Sequence, residues 1–145
     1  MVAAMNTASA YGYGTVIAVL PGFLVLRNAM EHIPNPLVNE AVSVTVLAGI
    51  TGSASGGMGI ALAAMADRFI AGANAAHIPL EVLHRVCSMA SGGMDTLPQN
   101  GAVITLLAVC GLTHKQSYGD ILVITCIKTV AVFVVIGIYY LTHWM

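Results

Sequence analysis

The residues of this chain whose types and spacing suggest chemistry lie in two segments rich in glycine and serine. The first segment is TGSASGGMG, residues 51–59, and the second is SGGMDTLPQNG, residues 91–101. The motifs SASGGM and MASGGM inside them agree at five of six positions and lie 36 residues apart. Glycine lets a backbone and a ligand approach closely, and serine hydroxyls hydrogen bond to carboxylates and hydroxyls. The pattern therefore indicates binding of a small polar molecule.

Both segments interrupt apolar sequence that otherwise suits membrane helices. Irregular backbone at membrane depth occurs only where it is buried in protein or lines a cavity, where helix ends offer N–H groups to anions and carbonyls to cations. We interpret the first segment as the tip of a re-entrant hairpin and the second as the centre of a broken helix. Two alternatives to a binding site stay open. The glycines of the first segment could serve only to pack helices closely, since Gly52 and Gly56 have small-xxx-small spacing. In the second segment, Asp95 could serve only as the N-terminal cap of a helix.

Asp95 is the acidic residue of the two segments. A carboxyl group is costly to keep charged inside a membrane, and such groups usually mark ion pathways. Asp95 is therefore the candidate for carrying a coupling proton or another cation. The residues predicted to bind the substrate, by side chain or by backbone, are Ser53, Ser55, Gly56, Gly57, Ser91, Gly92, Gly93, Thr96 and Asn100.

Composition places the whole chain in a membrane. Charged residues make up 8 % of the 145 residues and hydrophobic residues 58 %, whereas a soluble domain carries roughly 25 % charged residues. The mean hydropathy is +0.88. With a formal net charge of −1 and no basic cluster, the chain has nothing to neutralise a nucleic-acid backbone. Catalytic triads, HExxH motifs and phosphate loops are also missing from the sequence, so no catalytic residue, metal site or enzyme is expected.

The predicted fold is an all-α integral membrane protein with about three spanning or broken helices and one re-entrant helical hairpin. The segments are a helix over about residues 6–26, a hairpin over 37–66, a broken helix over 80–112 and a helix over 120–143, with polar connectors at 27–36, 67–79 and 113–120. The last helix contains 21 apolar-rich residues from Ile121 to Leu141, or about 31 Å, enough for a bilayer core.

Three polar residues within the apolar segments are harder to place. Lys128 lies inside the last helix, where its ammonium either extends to the interface or faces protein. Asn39 and Glu40 fall near the start of the hairpin and are interpreted as interfacial.

Three longer stretches carry a family resemblance. They are Thr7–Thr15 (TASAYGYGT), Thr51–Asp67 (TGSASGGMGIALAAMAD) and Ala90–Thr113 (ASGGMDTLPQNGAVITLLAVCGLT). The last is the most specific, because GGMDTLPxNGAVITLL is more than a glycine-rich composition. In these stretches the chain resembles the gluconate:proton symporter (GntP) family of the ion transporter superfamily, especially its members known as 3-hydroxybutyrate permeases.

The resemblance implies a secondary carrier of a small hydroxylated monocarboxylate, such as 3-hydroxybutyrate or gluconate. Transport would be driven by symport of a proton or another cation, with no bound cofactor, and the carrier would cross the cytoplasmic (inner) membrane several times. The expected partners are the substrate, the lipid bilayer, the N-terminal part of the carrier and a second copy of the chain, but no nucleic acid.

Relatives of this kind hold two repeat halves, whereas this sequence contains one hairpin and one broken helix. We therefore expect residues 1–145 to be the C-terminal transmembrane region of a larger carrier. The alternative is a non-transporting membrane subunit, or an inactive fragment of such a permease.

Overall fold

Helices make up all the regular secondary structure of the residues that the computed structural model describes. These residues are 19–30 and 32–142, together with 4, 5, 8, 9, 12, 15 and 16. Six helices lie within the continuous ranges: α1 Pro21–Met30, α2 Pro36–Thr51, α3 Ala54–Ala75, α4 Leu80–Ser91, α5 Gly101–Cys110 and α6 His114–Thr142. This agrees with the predicted all-α class. Eight residues of the helix predicted over residues 6–26 (6, 7, 10, 11, 13, 14, 17 and 18), and residue 143, lie outside the described residues.

Local sequence explains the tight hairpin formed by α2 and α3. The Asn35 side chain caps α2 by accepting a hydrogen bond from the Val38 N–H at 3.0 Å, and Pro36 occupies the first turn, where a missing N–H is harmless. Gly52 ends α2 in the left-handed region with a φ of 61°, which glycine adopts without steric cost. Ser53 then caps α3. The two helices are therefore antiparallel and joined by two residues.

The core is centred on α2, which packs against α1, α3, α4 and α6. Eleven of its sixteen residues are buried, because most of its side chains are small or apolar and neighbours cover several faces. The fully buried apolar residues of α2, α3 and α4 include Leu37, Ala41, Val44, Ala48, Ala61, Ala73 and Ala90.

Among the described helices, α6 is long and apolar enough to cross a membrane. Its 29 residues correspond to about 44 Å, and only 17 % of its most apolar window is buried inside the chain. A helix that is apolar and mostly exposed requires lipid or further protein around it. Helices α2 and α5 are apolar but shorter, so the number of membrane crossings stays a prediction.

The structure corrects the predicted helix boundaries. Helix α1 continues to Met30, α3 to Ala75, and α6 begins at His114. The segments predicted as polar connectors at 67–79 and 113–120 are therefore largely helical, and the one at 27–36 is helical at residues 27–30 and 36. Polarity alone does not end a helix: the polar end of α3 still carries Phe69 and Ala73 on its buried face, and this burial maintains the helix.

Candidate functional site

The two glycine-rich breaks lie against each other. A Cβ atom added to Gly52 would be 3.3 Å from the Cα of Asn100. The Gln99 Nε2 donates a hydrogen bond to the carbonyl of Gly49 at 2.9 Å. These contacts join positions about fifty residues apart, so the hairpin turn and the segment between α4 and α5 form one region.

Close packing accounts for several glycines of this region. A Cβ atom at Gly49 would be 3.1 Å from the Met94 Cβ, and one at Gly93 would be 3.0 Å from the Thr45 Cγ2. The Thr45 hydroxyl also donates to the Ala90 carbonyl at 3.0 Å, where α4 ends. The C-terminal half of α2 is therefore the surface on which the second break rests.

We expect Gly52→Ala to destabilise the chain more than Gly111→Ala. Both glycines have left-handed backbone, with φ values of 61° and 65°, but only Gly52 has atoms near the added Cβ. The conformational cost of about 1–2 kcal/mol applies to both, and contact with the Asn100 backbone adds about 1 kcal/mol at Gly52. Thermal unfolding in detergent measures the difference. Equal midpoints for the two variants would contradict the contact between the breaks.

Backbone N–H groups of the first break already have partners inside the hairpin. The Gly56 N–H donates to the Ser53 Oγ at 3.1 Å, and the Gly57 N–H donates to the Ser53 carbonyl at 2.9 Å. Gly57 is buried against α2, and Ser55 is exposed. Ser53, Gly56 and Gly57 therefore act in capping and packing, and an anion would have to displace the Ser53 cap to reach these N–H groups.

Asn100, rather than Asp95, caps α5. The Asn100 Oδ1 accepts hydrogen bonds from the Ala102 and Val103 N–H groups at 2.6 and 3.2 Å. Its Nδ2 donates to the Asp95 carbonyl, and Asn100 is 5 % exposed. The alternative that Asp95 serves as the cap is therefore wrong. The amide of Asn100 is engaged on both sides, which makes its observed role structural.

The carboxylate of Asp95 points instead to α6. The Lys128 ammonium lies 2.8 Å from the Asp95 Oδ1 in an ion pair whose side chains are 34 % and 22 % exposed for lysine and aspartate. The hydroxyls of Thr96 and Thr125 hydrogen bond beside it. Lys128 therefore faces protein, which decides between its two predicted placements. The pair is charge-balanced and still partly accessible.

Of the nine predicted substrate-binding residues, five serve in capping or close packing: Ser53, Gly56, Gly57, Gly93 and Asn100. Ser55 is exposed. Thr96 lies next to the ion pair. Ser91 is buried, and its hydroxyl donates to the Ser88 carbonyl at 2.8 Å. Gly92 is half-buried where α4 ends.

Two charged residues received no site role from the sequence. Lys128 was recognisable as the lone charge of a long apolar segment, but its partner lies 33 residues away. Glu40 was interpreted as interfacial, whereas it is 1 % exposed. Both residues owe their positions to helix packing. Within the described part of the chain, no group of three or more His, Cys, Asp or Glu residues could hold a metal ion.

The described residues form only helices, one of them apolar and exposed, with a polar site between two helix breaks, which is consistent with a membrane protein. Over 143 residues it is 64 % identical to "Uncharacterized transporter YxjC" of Bacillus subtilis (strain 168). The match covers 98 % of this chain and 30 % of that relative, so the chain spans about 30 % of the relative's length. The relative is named as a transporter, which fits the expectation that the chain is not an enzyme.

Neither a model of a known protein family nor a solved structure matches the chain. The resemblance to the gluconate:proton symporter family therefore stays a prediction.

Proposed function

We propose that this chain is part of a secondary active transporter in the cytoplasmic membrane, carrying a small hydroxylated monocarboxylate together with a proton. 3-Hydroxybutyrate and gluconate are the first substrates to test. The similarity to a protein named as a transporter supports the transport role. The single structural observation that carries the proposal is the Asp95–Lys128 ion pair, whose carboxylate belongs to the second break, and this break packs against the first.

Lys128 supplies what a carboxylate substrate needs. The Ser53 and Asn100 side chains accept hydrogen bonds from N–H groups in the first turns of α3 and α5. The partly exposed Lys128 ammonium is the positive group beside the second break. Hydrogen bonds between charged partners are roughly twice as strong as neutral ones. The hydroxyl-rich neighbourhood of Thr96 suits the hydroxyl group of the substrate.

Competition for Lys128 couples the substrate to the proton. When a substrate carboxylate takes the place of Asp95 beside the ammonium, the released Asp95 carboxylate has lost its counter-charge. It then takes up a proton, because a charged carboxylate without a partner is costly in this environment. One proton and one monoanion enter together, so this exchange leaves the net charge of the site unchanged.

Uptake measurements test the proposal. Membrane vesicles containing the complete product of the reading frame that encodes this chain would receive labelled 3-hydroxybutyrate or gluconate, with and without an imposed pH gradient. We expect accumulation that requires the gradient and disappears with a protonophore. Vesicles without the protein are the control. The absence of gradient-dependent uptake for both acids would contradict the proposal.

The exposed apolar surface of α6 favours a second candidate, a non-transporting membrane subunit that packs this helix against a partner. Its partners would be the remainder of a carrier or a second copy of the chain. It predicts that Ser55→Ala and Ser91→Ala change association with partners and that hydroxy acids give no thermal protection. Thermal shift with and without these acids separates the two candidates.

A further inference from the structure

Glu40 is a buried acidic residue that the site described above does not use. Its side chain is 1 % exposed on α2, and its Oε2 atom has no hydrogen-bond partner within the described structure. Asn39 and Ser43, which lie close to Glu40 on α2, each also have a buried side-chain oxygen without a hydrogen-bond partner in the described structure. Buried polar oxygens are normally satisfied. This part of α2 is therefore a polar patch inside an apolar core, and it needs a functional explanation.

The carboxyl group of Glu40 lines a cavity of about 340 Å³ between α2, α3 and α4. On the α3 side the walls are apolar, with Met58 and Phe69 among them, and on the α4 side Cys87 lies within hydrogen-bonding reach of Glu40. Leu62 and His84 are exposed residues of the lining, so the cavity opens to the surface. Glu40 thus sits at the buried end of an accessible space.

No fixed positive charge lies opposite Glu40 among the described groups. Cys87 and His84 are the other titratable residues of the cavity, and both belong to α4; the lining residues of α3 are all apolar. On α6, Lys128 is paired with Asp95. The titratable groups of α6 that lie near the start of α2 are the phenols of Tyr139 and Tyr140. The described side chains of α1 carry no charge.

We propose that Glu40 and its cavity form a second proton-binding site, separate from the Asp95–Lys128 pair, that loads one further proton with each substrate. An unpaired carboxylate is costly to bury and binds a cation to offset its charge. The cavity favours the proton, because hard metal cations such as Ca²⁺ and Mg²⁺ take about six or more oxygen ligands. Besides Glu40, the lining supplies the hydroxyl of Ser88 as a side-chain oxygen.

This inference rests on the proposed function and adds a consequence to it. The exchange at Lys128 brings in one proton with one monoanion, which is electrically neutral. A second proton on Glu40 makes each cycle carry one net positive charge. Transport should then respond to an inside-negative membrane potential as well as to a pH gradient.

The test compares the wild-type protein and Glu40→Gln, as full-length chains in vesicles with an imposed potassium diffusion potential and no pH gradient. We expect potential-driven accumulation in the wild type and at least a tenfold loss of it in Glu40→Gln. Substrate exchange across the membrane, which needs no net proton movement, should persist in the variant and shows that it folds. Glu81→Gln, on the exposed surface of α4, is the matched control and should behave as wild type.

Three outcomes would overturn the inference without touching the proposed function: a wild type that transports with no response to potential, a Glu40→Gln variant that keeps the response, or a Glu81→Gln variant that loses it equally. If Glu40→Gln does not fold, Glu40→Asp replaces it and should retain the response in weakened form. A full response or none in this variant counts against the site.

Chemical labelling tests Glu40 independently of transport. Dicyclohexylcarbodiimide is an apolar reagent that modifies protonated carboxyl groups. In membranes at neutral pH we expect mass spectrometry to find the label on Glu40 and not on the exposed Glu81 or Asp67. Labelling of Glu40 in a protein that shows no uptake would refute the proposed function but keep the proton site. An unlabelled Glu40 would refute the proton site.

Discussion

Replacing Gly57 with alanine is expected to lower the thermal unfolding midpoint by roughly 10 °C, which corresponds to about 3 kcal/mol. The added Cβ would lie 2.3 Å from both the N and the Cα of Ala48. Both obstructing atoms belong to the backbone, so no side-chain rotation relieves the overlap. The α2 and α3 helices would have to move apart, and the tightly packed core centred on α2 would loosen. Thermal unfolding of the purified protein in detergent measures this effect.

Gly59→Ala is the matched control for this prediction. Gly59 lies on the same helix two residues later, and a Cβ atom there has nothing within 4 Å. Alanine is a better helix former than glycine, so this change should be neutral or stabilising by about 0.5–1 kcal/mol. If both variants lost the same stability, the close crossing of α2 and α3 would not be the cause, and the packing of this hairpin would need revision.

The two members of the ion pair are expected to act on substrate binding in opposite directions. Lys128→Gln should weaken binding of the carboxylate substrate by about 10-fold or more, because a hydrogen bond to a charged group contributes about 1.5–3 kcal/mol. Asp95→Asn removes the group that competes for Lys128, so binding should be retained or tightened, while the proton carried by Asp95 is lost and accumulation under a pH gradient falls. Binding by scintillation proximity and uptake under a pH gradient measure the two effects separately.

Lys115→Gln is the control for the lysine change, since Lys115 lies exposed near the start of α6 and should leave binding unaltered. The double variant Asp95→Lys with Lys128→Asp, which exchanges the two charges, should be more stable than either single variant, because the ion pair is re-formed. Wild-type proton coupling in Asp95→Asn would remove Asp95 from the mechanism. Unchanged binding in Lys128→Gln would remove the ammonium from the substrate site.

Sequence reasoning was most successful where structure depends on nearby residues. Composition favours the all-α class, and the 21-residue apolar segment at 121–141 predicts the helix that the structure shows as α6. The glycine-rich segment 51–59 predicts the hairpin turn, which the structure places at Gly52 and Ser53, where a left-handed residue followed by a side-chain cap ends one helix and starts the next. Polarity was a poorer guide, since residues 67–75 and 114–120 are helical despite their polar character.

By itself, then, the sequence determined the helical class, the two breaks and the residue types gathered there. Tertiary structure alone decided which of these residues meet. Lys128 and Asp95 are 33 positions apart, Gln99 and Gly49 are 50 positions apart, and Glu40 is buried because its helix is packed among several others. Helix breaks and caps depend on contacts among residues close in sequence. The pairings between helices depend instead on how the side chains of separate helices pack together. This packing sets the register of the helices and so decides which charged residues meet.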